Sequence, residues 1–312
     1  MIYKGTTITG KTIDLGNPIS VRINKSDDAP ADDLYVVFCY EDFIEELKYI
    51  KVYCCDDIIF NGILDEQIVD ITSSGKLFKI YARSTAALLI DNSALPQSYS
   101  NTSLEIIFNR HIRPYGFTKF VGNNKLFSKE FIVYKGMSEW DVLEKFCTMF
   151  LYTKPRISSN GTINAYGKFD ESKNVYLNNF NGQTKYKSIS KNIKRYNKIS
   201  EVFVRAGKES SYSIKAVDEY AIKSGVKRRR YLNLYDNTNI PVNYAQLVIN
   251  DANKKSSEIK VSCVGMVNTD IGCMVTIEDK LLGKLENLHI SKIKYSMDAF
   301  GEVTELTMYE EK

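Results

Sequence analysis

The sequence has few of the residues on which metal and acid–base chemistry depend. It contains two histidines, His111 and His289, and neither has another ligand at metal-binding spacing. No Walker loop, GxSxG elbow or glycine-rich dinucleotide loop follows a strand pattern. We therefore expect no metal, no cofactor and no catalytic site, and we interpret both histidines as structural.

The chain also lacks the signatures of export, of a disulfide scaffold and of a membrane span. Its N-terminus has no continuous apolar stretch of the signal-peptide kind, and no apolar run approaches the roughly 20 residues needed to cross a bilayer. The six cysteines have no CxxC spacing. These features predict a chain that folds with free thiols in a reducing cytoplasm, is not exported through a signal peptide and does not enter a membrane.

Charge of one sign is not in large excess. The 42 basic and 38 acidic side chains leave a net charge of +4 spread over the whole length, without the polybasic field of a nucleic-acid binder. The densest cationic run is Lys227, Arg228, Arg229 and Arg230. We favour an edge or interface role for this run, and contact with a phosphate or an acidic partner stays an alternative.

Aromatic residues are abundant, and they favour strands. The 21 tyrosines and 15 phenylalanines are of the type enriched on half-buried pleated surfaces. A chain of 312 residues has enough length for two or three domains. We predict a β-rich α+β fold with a first β-barrel domain over 1–82, an inserted α+β domain with its connector over 83–190, and a second β-barrel domain over 191–312.

The two flanking domains are predicted from residues that alternate between apolar and polar. Ile50, Val52 and Cys54 alternate with polar neighbours and begin a meander with enough strands to close as a small barrel. A short helix is predicted over 41–47. The last domain has the same period around residue 261, a helix over 244–252, and a terminal hairpin with a bulge between Ile290 and Ile293.

A faint internal similarity links the two ends of the chain. Residues 52–56, an apolar pair and Gly62 are loosely matched by residues 275–279, an apolar pair and Gly283. Both stretches predict a strand, an acidic turn and a second strand. Duplication and chance both stay open as explanations.

The middle domain has clear helix signals. Ser103 is a predicted N-cap, and Pro114 with Gly116 ends that helix. Ser138 and Asp141 form a capping box for a second helix. A hairpin follows near residue 160, and a polar connector is predicted over 167–198.

Adjacent carboxylates keep one enzymatic alternative open. Glycosidases need only two acids at the right separation, and candidate pairs occur at 45–46, 56–57 and 65–66. Adjacent residues of a strand point to opposite faces, so we interpret these pairs as turn or edge residues. A cell-wall-degrading hydrolase is therefore an alternative function, and a glycan- or nucleic-acid-binding module is another.

Several blocks of the sequence together carry a family resemblance. The blocks are Ile58–Gly62 (IIFNG), Ala82–Asp91 (ARSTAALLID), Arg110–Gly116 (RHIRPYG), Arg195-Tyr196, Ile199–Val202 and Arg228–Tyr231. They resemble the baseplate hub proteins (tail hub or late control D-like proteins) of contractile phage tails and R-type bacteriocins. The likeness covers most of the chain through structural rather than catalytic motifs.

The resemblance implies a structural role. In that family the hub is a homotrimer between the tail tube and the spike. Two tube-like barrels in each subunit give a pseudo-sixfold ring, which adapts the sixfold tube to the threefold spike. Such a protein is not an enzyme and needs no cofactor. Its other partners are baseplate proteins, and DNA passes through its lumen without specific binding.

Further expectations follow from the same resemblance. The protein is assembled in the bacterial cytoplasm and ends in the tail baseplate of a released particle, which is a phage or a headless bacteriocin. Some phage hubs carry a fused lysin domain, whereas this chain ends with its terminal hairpin, so cell-wall cleavage is expected to belong to another protein. The predicted domain-junction residues are Gly62, Arg83, Arg110, His111, Pro114 and Gly116.

Overall fold

The computed structural model describes residues 1–40, 44–73, 75–166, 174–180, 184–207, 211–234 and 240–310. Strands dominate this part of the chain, which confirms the β-rich prediction. Within it, no helix is both long and apolar enough to span a membrane.

The first unit consists of strands joined by short turns. Its strands are β1 (Ile2–Thr7), β2 (Thr12–Asp14), β3 (Pro18–Ser26), β4 (Asp33–Cys39), β5 (Leu47–Cys54), β6 (Asp57–Thr72) and β7 (Gly75–Ser84). The helix predicted over 41–47 falls partly on residues 41–43, outside the described residues, and Leu47 already begins β5.

The middle unit is mixed. Its helices are α1 (Ala87–Ile90), α2 (Leu104–Ile107) and α3 (Glu139–Phe146). Its strands are β8 (Gln97–Tyr99), β9 (Phe120–Val121), β10 (Phe131–Val133), β11 (Arg156–Ile157) and β12 (Ile163–Asn164). A π turn extends α2 over Phe108–Ile112, and another extends α3 over Cys147–Leu151.

The last unit returns to strands and contains two helices. Its strands are β13 (Asn174–Asn178), β14 (Tyr186–Ile193), β15 (Glu201–Ala206), β16 (Ile214–Val217), β17 (Arg229–Leu234), β18 (Ser257–Val264), β19 (Met274–Asp279), β20 (Gly283–Asp298) and β21 (Gly301–Glu310). Its helices are α4 (Glu219–Lys223) and α5 (Pro241–Lys254).

One large sheet connects the two ends of the chain. Its strand order is β14-β18-β21-β20-β3-β4-β7-β6-β5-β1-β2, and β19 pairs with both β20 and β13. β20 of the last unit is antiparallel to β3 of the first, which makes the sheet continuous. Two separate apolar cores lie against it, one around Phe38 and Phe60 and the other around Val261 and Leu306.

Local signals in the middle unit are confirmed. The Ser103 hydroxyl accepts a hydrogen bond from the Ile106 amide at 3.3 Å. Ser138 and Asp141 exchange two hydrogen bonds, from the Asp141 amide to Ser138 Oγ at 3.1 Å and from the Ser138 amide to Asp141 Oδ2 at 2.8 Å. These caps satisfy amides that a helix start leaves without intrahelical partners, so they specify both helix starts locally.

A small subdomain interrupts the last unit between β14 and β18. β15 lies between β16 and β17, and α5 covers one face of this sheet through Ala245 and Ile249. The predicted helix over 244–252 is confirmed and is longer. The sequence pattern does not predict β16 and α4, since each has only four or five residues and weak periodicity.

The predicted connector is partly strand. β13 and β14 lie within residues 167–198 and pair with β19 and β18 of the large sheet. The predicted boundary at residue 190 falls inside β14. Asn, Lys and Ser are common in this stretch, and an edge strand tolerates them because one side of its backbone faces solvent. The division into domains stays a prediction.

Candidate functional site

The predicted junction residue Arg83 bridges the first and middle units. Its Nε donates to Asp65 Oδ2 at 2.7 Å, and its Nη2 donates to Asp91 Oδ2 at 2.7 Å. Hydrogen bonds to Asp65 and Asp91 raise the pKa of the Arg83 guanidinium. The hydrogen bond from Arg83 to Asp91 also lowers the pKa of the Asp91 carboxyl. The guanidinium therefore ties the end of β7 to β6 and to the end of α1.

Gly62 lies where two strands approach very closely. A Cβ atom at this position would lie 2.3 Å from the Arg83 carbonyl oxygen and 2.6 Å from Phe60 Cε1. No side chain fits there without a shift of backbone. Gly62 thus supports the backbone that presents Arg83.

His111 is the centre of a polar network in the middle unit. Its Nδ1 lies 2.6 Å from Glu139 Oε2, and its Nε2 lies 2.8 Å from the Tyr99 hydroxyl. Tyr115 donates to Glu139 Oε1 at 3.2 Å. His111 is 2% exposed, and among the described residues no group of three or more His, Cys, Asp or Glu could hold a metal. The network joins α2, α3 and β8 and leaves His111 no open access to a substrate.

The other predicted junction residues lie at the end of the same helix. Pro114 sits in a single 3-10 turn, and Gly116 ends it with φ at 91° in the left-handed region. Arg110 is exposed on the preceding turn. The structure therefore brings Arg110, His111, Pro114 and Gly116 together and places Gly62 and Arg83 at a separate junction.

The large sheet, which we also call the main sheet, contains a structural repeat. β6 and β20 each have 16 residues, and β7 and β21 each have ten. Each long strand leaves one residue out of register, Asp65 in β6 and Ser291 in β20. These residues lie 226 positions apart, as do Gly75 and Gly301, which begin β7 and β21. The two hairpins therefore share the lengths of their strands and the position of the bulge.

The repeat extends to the neighbouring strands. β7 pairs with β4 as β21 pairs with β18, and β4 pairs with β3 as β18 pairs with β14. β3 and β14 even share a register shift, after Pro18 and after Tyr186. The sequence similarity between residues 52–62 and 275–283 spans β5 and β6 and, in the second repeat, β19 and the start of β20. It aligns Gly62 with Gly283, whereas the register of the repeat aligns Gly62 with Leu288. β1 is antiparallel to β5, whereas β13 is parallel to β19.

The repeat leaves two strand edges without a partner among the described strands. The second half of β20 pairs with β3, but the equivalent half of β6, residues 66–71, pairs with β7 and with no other described strand. β14, the equivalent of β3, pairs with β18 alone among the strands that the structure describes. Ile71 is 72% exposed on the β6 edge, and Ile193 is 60% exposed on β14. We call these segments the β6 edge and the β14 edge.

The cationic run predicted as an interface has divided roles. Arg229 pairs with Glu201, which also binds Lys215 at 2.6 Å. Arg228 Nη1 donates to the Arg195 carbonyl at 2.8 Å, and Arg230 Nη1 donates to the Arg229 carbonyl at 3.0 Å.

A cleft lies beside this run. It has a volume of about 270 Å³ and is lined by Arg195, Gly225, Val226, Lys227 and Arg228. We call it the basic cleft. No sequence pattern links Arg195 with the run, because the two are 32 or more positions apart and meet only through the fold.

Comparisons with known proteins place the fold among phage tail proteins. No family model and no curated protein matches the chain. A solved tail protein from Neisseria meningitidis is 16% identical, with a TM-score of 0.77 and coverage of 99% of this chain and 97% of that chain. The prophage MuSo2 43 kDa tail protein from Shewanella oneidensis is 18% identical, with a TM-score of 0.75 and the same coverage of both chains.

A third similar structure comes from a secretion system. A component of the E. coli type VI secretion system, described as structurally similar to the T4 bacteriophage tail proteins gp27 and gp5, is 8% identical. Its TM-score is 0.61, over 95% of this chain and 74% of that chain. At these identities the comparisons establish that the chain has the fold of tail proteins.

Proposed function

We propose that this chain is a structural, non-enzymatic hub of a phage-tail-like particle and that three copies form a closed ring. The fold shared with tail proteins over nearly the whole chain supports a tail component. The observation that carries the ring is the pair of strand edges that the repeat leaves open. In this proposal each half of the main sheet is a tube-like barrel, so three copies present six similar units to a sixfold tube.

The ring forms by repeating between copies the junction that already exists within one chain. β20 of the second repeat pairs with β3 of the first. The equivalent pairing joins the β6 edge of one copy to the β14 edge of the next. This contact is head-to-tail, and head-to-tail contacts close into rings when the rotation per copy divides a full turn.

The intrachain junction also predicts the register. Ser296 lies opposite Arg22, and Met297 lies opposite Val21. The spacings of the repeat convert these pairs into Asp70 opposite Ser190 and Ile71 opposite Ile189 of the next copy. Ile71 would then cover an apolar neighbour, which explains a side chain that is 72% exposed in the single chain.

A disulfide tests this register. A chain with Asp70→Cys and Ser190→Cys should form covalent dimers and trimers under mild oxidation, since directly opposed residues have Cα atoms at a distance that a disulfide spans. The matched control, Asp70→Cys with Lys187→Cys, is out of register and should stay monomeric on a non-reducing gel. Equal cross-linking of both variants would refute the register.

A surface substitution tests the ring itself. Ile71→Lys should lower the trimer association constant by about tenfold or more, because a charge would be buried against the next copy. Leu281→Lys is the matched control, since Leu281 is 95% exposed on the turn between β19 and β20. Sedimentation equilibrium measures both. A wild-type chain that stays monomeric at high concentration, alone and with its particle proteins, would contradict the ring.

The remaining partners follow from this position. The ring would meet the tube protein on one side and the spike on the other, with other baseplate proteins around it. The chain would be assembled in the bacterial cytoplasm and leave in the released particle. Cryo-electron microscopy of the particle tests this, and absence of the chain between tube and spike would refute the hub.

A further inference from the structure

The basic cleft holds cations that the described part of the chain does not neutralise. Within the described part of the chain, Arg195 Nη2 donates to the Ser224 carbonyl at 2.8 Å, and Arg228 donates to the carbonyls of Arg195 and Lys198. Lys227 has no carboxylate partner among the described residues. Arg229, next in the chain, does have one in Glu201. The cleft therefore presents three positive charges without a carboxylate partner among the described residues.

The segment that contains the cleft carries more positive charge than the rest of the chain. Residues 194–256 contain 13 Lys or Arg and six Asp or Glu, a net of +7, although the chain as a whole has +4. All other residues together are net negative by three. The chain thus carries opposite charges on different parts of itself, which favours contacts between copies.

An acidic corner lies at the bulge of β6. Glu45 and Glu46 precede β5, and Glu66 follows the bulge. Gln67 holds the corner in place, since its Oε1 accepts from the Leu47 amide at 2.9 Å. Glu46 and Glu66 are exposed. We call Glu45, Glu46 and Glu66 the acidic corner.

The second repeat has an equivalent corner, and it lies at the pairing of β20 with β3, where its ion pair is visible. Tyr49 and Met274 pair with equivalent positions of β6 and β20, so Glu45 corresponds to Asp270. Asp270 binds Lys25 at 3.1 Å, across the seam between the two repeats. An acid of one repeat therefore pairs with a base of the other at this corner. The position equivalent to Lys25 is Ile193, so a clamp between copies needs cations from the basic cleft instead.

The proposed pairing of the β6 edge with the β14 edge of the next copy would bring the acidic corner close to the basic cleft. At the intrachain seam the Asp27 amide donates to the Ser291 carbonyl, at the bulge of β20. The equivalent of Asp27 is Arg195, because β3 and β14 are offset by 168 positions at their shared register shift. Arg195 would thus reach the bulge of β6 in the next copy, beside the acidic corner.

We propose that the basic cleft of one copy receives the acidic corner of a second copy as an ion-paired clamp. The proposal rests on the ring of the proposed function and adds the electrostatic contact that sets its register and salt dependence. The cations of the cleft gain carboxylate partners, and the acidic corner gains guanidinium and ammonium donors. A nucleic acid and an acidic protein of another kind are the competing occupants, and the experiments below distinguish them from a second copy.

A charge swap tests the clamp. Lys227→Glu and Glu46→Lys should each lower the trimer association constant by about three- to tenfold at low salt, since each contact recurs three times in the ring. The double variant should recover most of the loss, and the difference should shrink as salt rises. Neither side chain is buried, so both single variants should fold, which circular dichroism checks.

A control pair and the disulfide separate the possible outcomes. Lys125→Glu with Glu130→Lys makes the same swap on the exposed surface of the middle unit and should change nothing. If the charge variants assemble like the wild type while the 70–190 disulfide still forms, the clamp is wrong and the ring stands. If the disulfide does not form, the ring itself is wrong. If Lys227→Glu keeps assembly but abolishes binding of a single-stranded oligonucleotide, the cleft is a nucleic-acid site and the clamp is overturned.

Discussion

Asp65 and Ser291 occupy equivalent positions in two equivalent hairpins. Each is the extra residue of a bulge in a 16-residue strand, and each marks the point where the strand changes its second neighbour. At Ser291 the neighbour changes from β19 to β3 of the same chain. At Asp65 it changes from β5 to an edge that no described strand covers, and that asymmetry is the basis of the ring that we propose.

Substitution of Gly62 should destabilise the fold more than substitution of another glycine. Gly62→Ala places a Cβ 2.3 Å from the Arg83 carbonyl oxygen, and the backbone shift should cost about 2–3 kcal/mol of unfolding free energy. Gly10→Ala is the control, because Gly10 has positive φ but open space, and it should cost about 1 kcal/mol. Urea denaturation measures both, and equal losses would contradict the steric explanation.

Arg83 should be replaceable by lysine only in part. Arg83→Lys keeps the charge but loses the paired donors that hold Asp65 and Asp91 together, so we expect a loss of about 0.5–1 kcal/mol, with a similar or larger loss for Arg83→Ala. Thermal unfolding at low and high salt provides the measurement. An Arg83→Ala chain as stable as wild type would show that the junction does not depend on this contact.

The Glu139 carboxylate should matter for stability rather than for catalysis. Glu139→Ala leaves the His111 Nδ1 and the Tyr115 hydroxyl without their acceptor in a buried site, at a cost of about 2–3 kcal/mol. Glu139→Gln keeps an acceptor and should cost less. Chemical denaturation distinguishes the two, and an activity lost in Glu139→Gln without loss of stability would point to catalysis instead.

Asp32 should make the protein less stable as pH rises from 4 to 6. Burial raises the pKa of Asp32 to about 6, despite the nearby charges of Lys25 and Arg156. The folded state therefore binds a proton more tightly than the unfolded state, in which Asp32 keeps the ordinary pKa of 3.8. The free energy of unfolding should fall by about 3 kcal/mol as pH rises from the unfolded-state pKa to the folded-state pKa. Asp32→Asn should flatten this slope in denaturation series at several pH values. An unchanged slope would show that Asp32 titrates normally.

Local features were predictable from sequence, and long-range pairings were not. Ser103, Ser138 and Gly116 reveal helix ends because caps act within a few residues. The repeat left almost no trace, since its 28 aligned hairpin positions share only Asn61 with Asn287 and Gly75 with Gly301. A strand pair needs matching backbones and an alternation of apolar and polar residues rather than identical side chains. The two hairpins therefore share strand pairing and bulge position although their sequences are almost unrelated.

The candidate site shows the same division. The run 227–230 was visible as a dense charge, but its partner Arg195 and the acidic corner come together only through the fold. The subdomain over 194–256 replaces a six-residue turn of the first repeat, residues 27–32, with 63 residues. The insertion separates β14 from β18 in the sequence, so the order of strands along the chain does not show that they pair as β3 and β4 do.

The seam between β20 and β3 has a mechanical meaning. Six consecutive residue pairs join the two halves of the chain, from Lys292 opposite Ser26 to Met297 opposite Val21. Their hydrogen bonds run across the strands, so a twisting load on one half must shear the whole ladder at once instead of rotating a single peptide. Rotation of one half against the other would have to break several of these backbone hydrogen bonds, so we expect the two halves to move together.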